Sequence, residues 1–228
     1  MTDTIVLIPA YNEEKNIKEI VTRVKKLGYT TLVVDDFSKD RTSQFAKDAG
    51  AVVVRHEVNK GKGEGIKTGF EYIFKNRKEK YVVLLDADLQ YIPEDIPKVI
   101  EKLQKNQADF VMGYRDWSIV PWRHRLGNLA WRISFNLLFG TKMKDTNCGF
   151  MAMTVETAKK IRGIRGGYII DNHIVSQIVK SKLRIGQVPV TIYYNRKSGV
   201  NRGVRMVVGV LYFIITEGIK YRLGISKD

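Results

Sequence analysis

Two aspartates one residue apart, Asp86 and Asp88, end the aliphatic run VVLLDADLQY of residues 82–91. If that run is a strand, side chains at i and i+2 share a face, and the two carboxylates point the same way with Cα atoms about 6.5 Å apart. Bare carboxylates at such a spacing repel and resist desolvation, so a purely structural role is costly unless a cation neutralises them. Hard divalent ions take oxygen ligands, often one or two carboxylates completed by substrate phosphates. The stretch therefore reads as half of a Mg²⁺ or Mn²⁺ site whose other half is a diphosphate, and Gln90 can add a further oxygen. Taken alone, DAD more often marks a solvated turn, so the surrounding elements have to decide.

Those elements alternate. TIVLIP, TTLVVDD, AVVVRH, YVVLLDAD and ADFVMG are short, β-branched or aliphatic runs, separated by helix-period stretches at 13–27, 41–49, GEGIKTGFEYIFK and PEDIPKVIEKLQ. Ile17, Ile20, Val21, Val24 and Leu27 recur at steps of three and four, which sets them on one helical face against a sheet. Continuous aliphatic strands covered on both faces predict an α/β fold with a mostly parallel central sheet. Ligands of such sheets sit at the carboxyl ends of the strands. The polar residues collect there: Tyr11, Asn12 and Glu13 after the first strand, Asp35 and Asp36 after the second, Asp86 and Asp88 after the fourth.

The hydrophobic fraction of 44% over 228 residues supports a packed core and excludes a disordered chain. One cysteine, Cys148, excludes an internal disulfide and fits a reducing compartment, and MTDTIVLIPA places an acid where a secretory signal needs basic residues. The expected setting is cytoplasmic. The formal charge of +15 is unevenly spread: residues 1–114 carry 19 Lys and Arg against 18 Asp and Glu, leaving 20 against 6 of the totals of 39 and 24 for residues 115–228. A basic second half attracts an anionic membrane leaflet, a nucleic acid or a phosphorylated ligand. It also holds Trp117, Trp122 and Trp131 and two apolar segments, LGNLAWRISFNLLFG (126–140) and MVVGVLYFIIT (206–216). Both are shorter than the ~20 residues a bilayer span needs. Each is a core helix or an interfacial one, and the flanking Arg123, Arg125, Arg202, Arg205, Lys220 and Arg222 favour contact with a membrane surface.

PAYNEE (9–14), VVDDFSKDRT (33–42), NKGKGEGIKTG (59–69), LLDADLQ, DFVMGYR (109–115) and DTNCGFMAM (145–153), in this order, resemble family 2 glycosyltransferases of the GT-A fold. The resemblance is to the dolichol-phosphate mannose synthase-like branch, the polyprenyl-phosphate glycosyltransferases, and it extends through about residue 200. It implies a GT-A domain over 1–200 and an amphipathic, membrane-associated helical segment over 201–228. It further implies that Pro9, Tyr11 and Glu13 line the nucleotide pocket, that Asp36 reaches base or ribose, and that Lys62 stands in a loop whose glycines let backbone approach the ligand. Asp86, Asp88 and Gln90 match the metal and diphosphate site, with Asp88 the direct ligand. Arg115, Arg123 and Arg125 look like a mobile basic acceptor loop, while Arg196, in YYNRKSGVNRG, matches an arginine that grips phosphates, and Arg202, standing with Asn201 where the family commonly shows Ser-Lys, is expected in the donor-binding site.

The implied reaction is inverting transfer of one sugar from a nucleotide-sugar donor to a polyprenyl or dolichyl phosphate, at the cytosolic membrane face and with Mg²⁺ or Mn²⁺. Phe37 and Arg41 interrupt the family's usual pattern after the second strand, which makes a UDP-sugar as eligible a donor as GDP-mannose. Two rivals stand beside it. Transfer to a sugar hydroxyl would demand a general base, for which Asp171 is placed. Nucleic-acid binding would use the basic half, but no nucleic-acid module accompanies the charge, and the expectation is no nucleic-acid partner. His124 and His173 lack metal-ligand spacing and are expected to be structural.

Overall fold

The structure, a computed structural model, describes residues 3–118, 120, 122–164, 167–193 and 204–225. Four parallel strands form one side of the sheet: β1 (Thr4–Ala10), β2 (Thr30–Asp35), β3 (Val52–Arg55) and β4 (Tyr81–Leu84). They are joined by α1 (Ile17–Lys26), α2 (Thr42–Asp48) and α3 (Lys62–Asn76). A 3₁₀ turn, Pro93–Asp95, leads into α4 (Ile96–Gln104) and then β5 (Phe110–Arg115). After α5 (Trp122–Phe139) come β6 (Met151–Thr154), α6 (Val155–Lys159), α7 (Ile170–Lys180), β7 (Ile185–Val190) and α8 (Val204–Arg222).

The strand order is β3-β2-β1-β4-β6-β5-β7, and β6 alone among these runs antiparallel to its neighbours β4 and β5. The mostly parallel α/β sheet expected from the aliphatic runs is present. Strand β6 was not foreseen, because its MAMT stretch is Met- and Ala-rich with a single β-branched residue, Thr154. Its insertion sets Cys148 and Gly149 beside the carboxyl end of β4. On α1, the residues Ile17, Ile20, Val21 and Val24 are buried as their spacing predicts.

Two glycines of α3 act in packing rather than toward a ligand. A Cβ on Gly69 would stand 2.3 Å from Leu7 Cδ1, and one on Gly65 would touch Pro9 at 3.4 Å. The helix therefore lies close on β1, which carries its N-terminus to the ends of β1 and β4. At the far side, α5 and α8 pack against each other, and α8 also packs on α7. Met206, Val210 and Ile214 of α8 are part of the core. Trp131, expected at a membrane interface, is instead 2% exposed, and its Nε1 donates to the Val207 carbonyl at 3.0 Å. An indole whose only polar atom is satisfied inside the fold is a core residue.

Candidate active site

The carboxyl ends of β1, β2 and β4 lie side by side, and each is followed by a non-glycine residue with positive φ: Asn12 (55°), Phe37 (66°) and Leu89 (56°). Such backbone costs energy and collects at functional sites. The loops are fastened to one another. Asn12 N donates to Ser38 Oγ (2.9 Å), Lys39 N to Asn12 Oδ1 (2.8 Å), Glu13 N to Thr42 Oγ1 (2.8 Å) and Glu14 N to Asp40 Oδ2 (3.1 Å). Tyr11 stays 46% exposed at this rim, above the half-buried Pro9.

Asp35 and Asp36 are both buried. Asp35 accepts Ser38 N at 2.9 Å and the Ser43 hydroxyl, with Arg55 Nε 3.4 Å away. Asp36 Oδ1 accepts Lys60 N (2.8 Å) and lies 2.8 Å from His56 Nδ1, while its Oδ2 accepts Gly61 N (2.7 Å). Its observed work is to hold the 59–61 loop. His56, which sequence reasoning missed, shares that work; a histidine directly after the VVVR strand was the available signal.

Asp86 and Asp88 do not belong to a strand. β4 stops at Leu84, and a turn, with Leu89 in the left-handed region, brings the two carboxylates together. The convergence is as expected but its cause is the turn, not the pleat. Asp88 Oδ1 accepts Gln90 N at 3.0 Å, so Gln90 uses its backbone here. Lys62 begins α3 after Gly61, whose φ of 88° suits glycine, and its Nζ lies 2.6 Å from Asp86 Oδ1 and 3.8 Å from Asp171 Oδ1. The other oxygen of Asp86 faces Gly149, where a Cβ would come within 2.3 Å of it. Gly149 is thus a site residue that sequence reasoning left as part of a motif.

Charge in this cluster is unbalanced. Burial pushes the Asp88 carboxyl up to about 6, with Asp86 adding to the effect. Burial also raises Glu13, against its hydrogen bond from Asn16, with Asp40 and Asp86 contributing. Asp171 is raised by burial, which outweighs the pull of Lys62. For Lys62 burial opposes the charge, but Asp86 and Asp171 beside it win and hold the ammonium above the ordinary lysine range. Three carboxyl groups, those of Asp86, Asp171 and Asp88, act on one cation.

This donor set fits a hard divalent ion: two carboxylates with no thiol or imidazole among them. Among the described residues no group of three or more His, Cys, Asp or Glu side chains forms a complete cage. Asp86 and Asp88 thus offer two carboxylates, fewer than a full coordination shell.

Arg115 departs from expectation. It closes β5, is 2% exposed, and pairs with Asp145 through Nε–Oδ2 (2.6 Å) and Nη2–Oδ1 (2.9 Å). Asn128 Oδ1 lies 3.4 Å from Nη2, and the guanidinium carbon is 5.3 Å from the Trp117 ring centroid. A guanidinium so enclosed is not a group on a mobile acceptor loop. It is a positioning residue joining β5, α5 and the 145–147 turn. Arg125 donates to the carbonyls of Val120 (2.6 Å) and Ser118 (2.7 Å), which ties down the segment before α5. Arg196 and Arg202 lie outside the described residues, as does the side chain of Arg123. His173 is buried against the Arg162 carbonyl at 3.2 Å, away from any ligand role.

Comparison with known proteins follows the same line. Residues 5–161 match the family described as Glycosyl transferase family 2. The UDP-N-acetylglucosamine–dolichyl-phosphate N-acetylglucosaminyltransferase of Methanococcus voltae is 29% identical over 93% of this chain and 95% of its own length. The dolichol-phosphate mannosyltransferase of Pyrococcus furiosus is 37% identical over 114 residues, 48% of this chain and 32% of that protein. A crystal structure of glucosyl-3-phosphoglycerate synthase from Mycobacterium tuberculosis, in complex with Mn²⁺, UDP-glucose and phosphoglyceric acid, superposes with a TM-score of 0.77 at 19% identity, covering 94% of this chain and 79% of that one. With its seven-stranded α/β sheet and its carboxylates gathered at the strand ends, the chain belongs to the family 2 glycosyltransferases and has their GT-A fold.

Proposed function

We propose that the protein transfers one sugar from a nucleotide-sugar donor to a polyprenyl or dolichyl phosphate, with inversion, while bound peripherally at the cytosolic face of a membrane. The observation that carries this reading is the excess of carboxylates around Lys62, set at the strand ends. Asp86 and Asp88 would hold Mg²⁺ or Mn²⁺, which when bound supplies Lewis-acid stabilisation to the departing diphosphate. Lys62 and the amino end of α3 face the same diphosphate with positive charge. Pro9, Tyr11 and Glu13 would line the nucleotide, and Asp36, which fixes the 59–61 loop, would reach base or ribose. The donor is GDP-mannose or a UDP-sugar. The likeness to a UDP-N-acetylglucosamine-using relative along nearly its whole length supports the second.

A polyprenyl monophosphate, with a second pKa of about 6, is already largely dianionic at neutral pH and needs no base. It needs cations and an apolar surface. Arg196 and Arg202 are the proposed phosphate grips. Leu126, Leu129, Ile133 and Leu137 of α5, with Val208, Tyr212, Ile215 and Ile219 of α8, are exposed at helical spacing. This apolar face supports a peripheral seat for residues 201–228 with α5, and no described helix is long and apolar enough to cross a membrane.

One observation keeps the hydroxyl-acceptor reading in play: Asp171 is a partly buried carboxyl 3.8 Å from Lys62 Nζ, and desolvation raises its pKa above the ordinary aspartate value. Radiolabelled donor incubated with dolichyl phosphate decides between them. Label should enter an organic-extractable lipid, and should vanish with EDTA or in Asp88→Ala. Transfer only to soluble sugars, abolished by Asp171→Asn, would replace the lipid reading with the hydroxyl one.

A further inference from the structure

We propose that Lys62 is an internal counter-cation: its ammonium holds Asp86 until a divalent ion takes that oxygen, and then passes to Asp171 and the donor's diphosphate. The inference rests on the metal-dependent reading above and deepens it by coupling metal entry to nucleotide binding. Each oxygen of Asp86 has a close neighbour. Its Oδ2 is covered by Gly149, so closely that a Cβ there would stand at 2.3 Å, and its Oδ1 is held by Lys62 Nζ at 2.6 Å. An ammonium and a divalent ion cannot both sit on one oxygen without direct repulsion between cations.

The ammonium has a second place to go. Asp171 Oδ1 is already 3.8 Å from Nζ, so a small swing of the side chain exchanges one carboxylate for the other. The base of the lever stays still. Lys62 opens α3, and the preceding loop is pinned where Lys60 N and Gly61 N donate to Asp36 at 2.8 and 2.7 Å. A lysine's four-carbon stem is flexible and its head a compact charge, which suits such a transfer. Metal alone must therefore displace Lys62 with only Asp171 in compensation, whereas a diphosphate gives the ammonium a new partner. The coupling is reciprocal, so metal tightens nucleotide by the factor by which nucleotide tightens metal.

Free Mn²⁺ measured by electron paramagnetic resonance tests this on the full chain. Lys62→Met should bind Mn²⁺ alone about tenfold tighter than wild type, with Lys62→Arg close to wild type. Lys60→Met, which removes an exposed neighbouring charge, should change Mn²⁺ affinity by less than about twofold. Adding UDP or GDP should strengthen Mn²⁺ binding by a larger factor in wild type than in Lys62→Met. Circular dichroism checks that Lys62→Met folds, and Lys62→Gln serves with the same expected gain if it does not. Equal or weaker Mn²⁺ binding by the neutral variants overturns the proposal. So does a crystal structure with Mn²⁺ and nucleotide in which Lys62 Nζ remains bonded to Asp86. Failure of wild type to bind Mn²⁺ with either nucleotide would instead defeat the metal reading itself, a separable result.

Discussion

Two charged clusters stand a short way apart and are built on opposite principles. Around Arg115 the guanidinium meets Asp145 in two bonds, both side chains are 1% exposed, and cation matches anion. Around Lys62 one ammonium faces Asp86 and Asp171, with Asp88 in electrostatic reach, and the Lys62 and Asp86 side chains remain 33% and 28% exposed. Balanced and sealed charge fixes the scaffold. Unbalanced and open charge is what the proposed metal and diphosphate would neutralise. By sequence Arg115 belongs with the second class; its burial moves it to the first.

The contrast can be broken by mutation, and the largest effect belongs to the sealed pair. Arg115→Met strands Asp145 in the interior and should cost about 3–5 kcal/mol in urea unfolding, with much of it recovered in Arg115→Met/Asp145→Leu. A loss under about 1 kcal/mol would mean that the pair is not scaffold. Next comes Gly149→Ala. Its Cβ would enter the space of Asp86 Oδ2, so kcat/KM with Mn²⁺ should fall about 100-fold, or ~2.7 kcal/mol, with less loss of stability than Arg115→Met. Unchanged turnover would show that Asp86 need not stay where it is.

The open cluster should also be visible in stability against pH. The Asp88 carboxyl is raised from 3.8 to about 6 in the fold. A folded state that prefers the protonated acid gains nothing from ionisation, so its stability falls as pH rises between these values and stays lowered above them. Asp88→Asn removes that penalty and should stabilise the metal-free protein by about 1–2 kcal/mol at pH 7.5, a gain that fades toward pH 4. Destabilisation at pH 7.5 would contradict the imbalance. The smallest effect on folding lies outside both clusters. Leu137→Glu with Tyr212→Glu should change stability by less than about 0.5 kcal/mol. The same pair should weaken sedimentation with anionic lipid vesicles; unaltered sedimentation would remove α5 and α8 from the membrane reading.

Much of the first half could be read from local pattern. Aliphatic runs and three-four spacing specified β1 to β5 and α1 to α4, because each element buries residues whose periodicity is its own. The carboxylates were legible for the same reason, lying at the ends of those runs. What escaped depends on segments far apart in sequence. Asp145 finds Arg115 across 30 residues, and Asp36 spends its oxygens on a loop 24 and 25 residues on. No spacing rule announces either. β6 and β7 escaped because their residues do not look like strands: β6 is Met-rich, and β7 carries Gly186 and an exposed Pro189, tolerated at the sheet edge. The packing role of Gly65 and Gly69, which fit α3 closely on β1, was likewise not legible, because it depends on a strand more than fifty residues away.

Calorimetric titration of UDP and GDP into wild type and Asp88→Asn, each with and without Mn²⁺, bears most directly on the carboxylate cluster. At least one nucleotide should bind wild type only when Mn²⁺ is present, and Asp88→Asn should lose that dependence together with most of the affinity. Equal nucleotide affinity in all four conditions would contradict a site completed by metal and diphosphate.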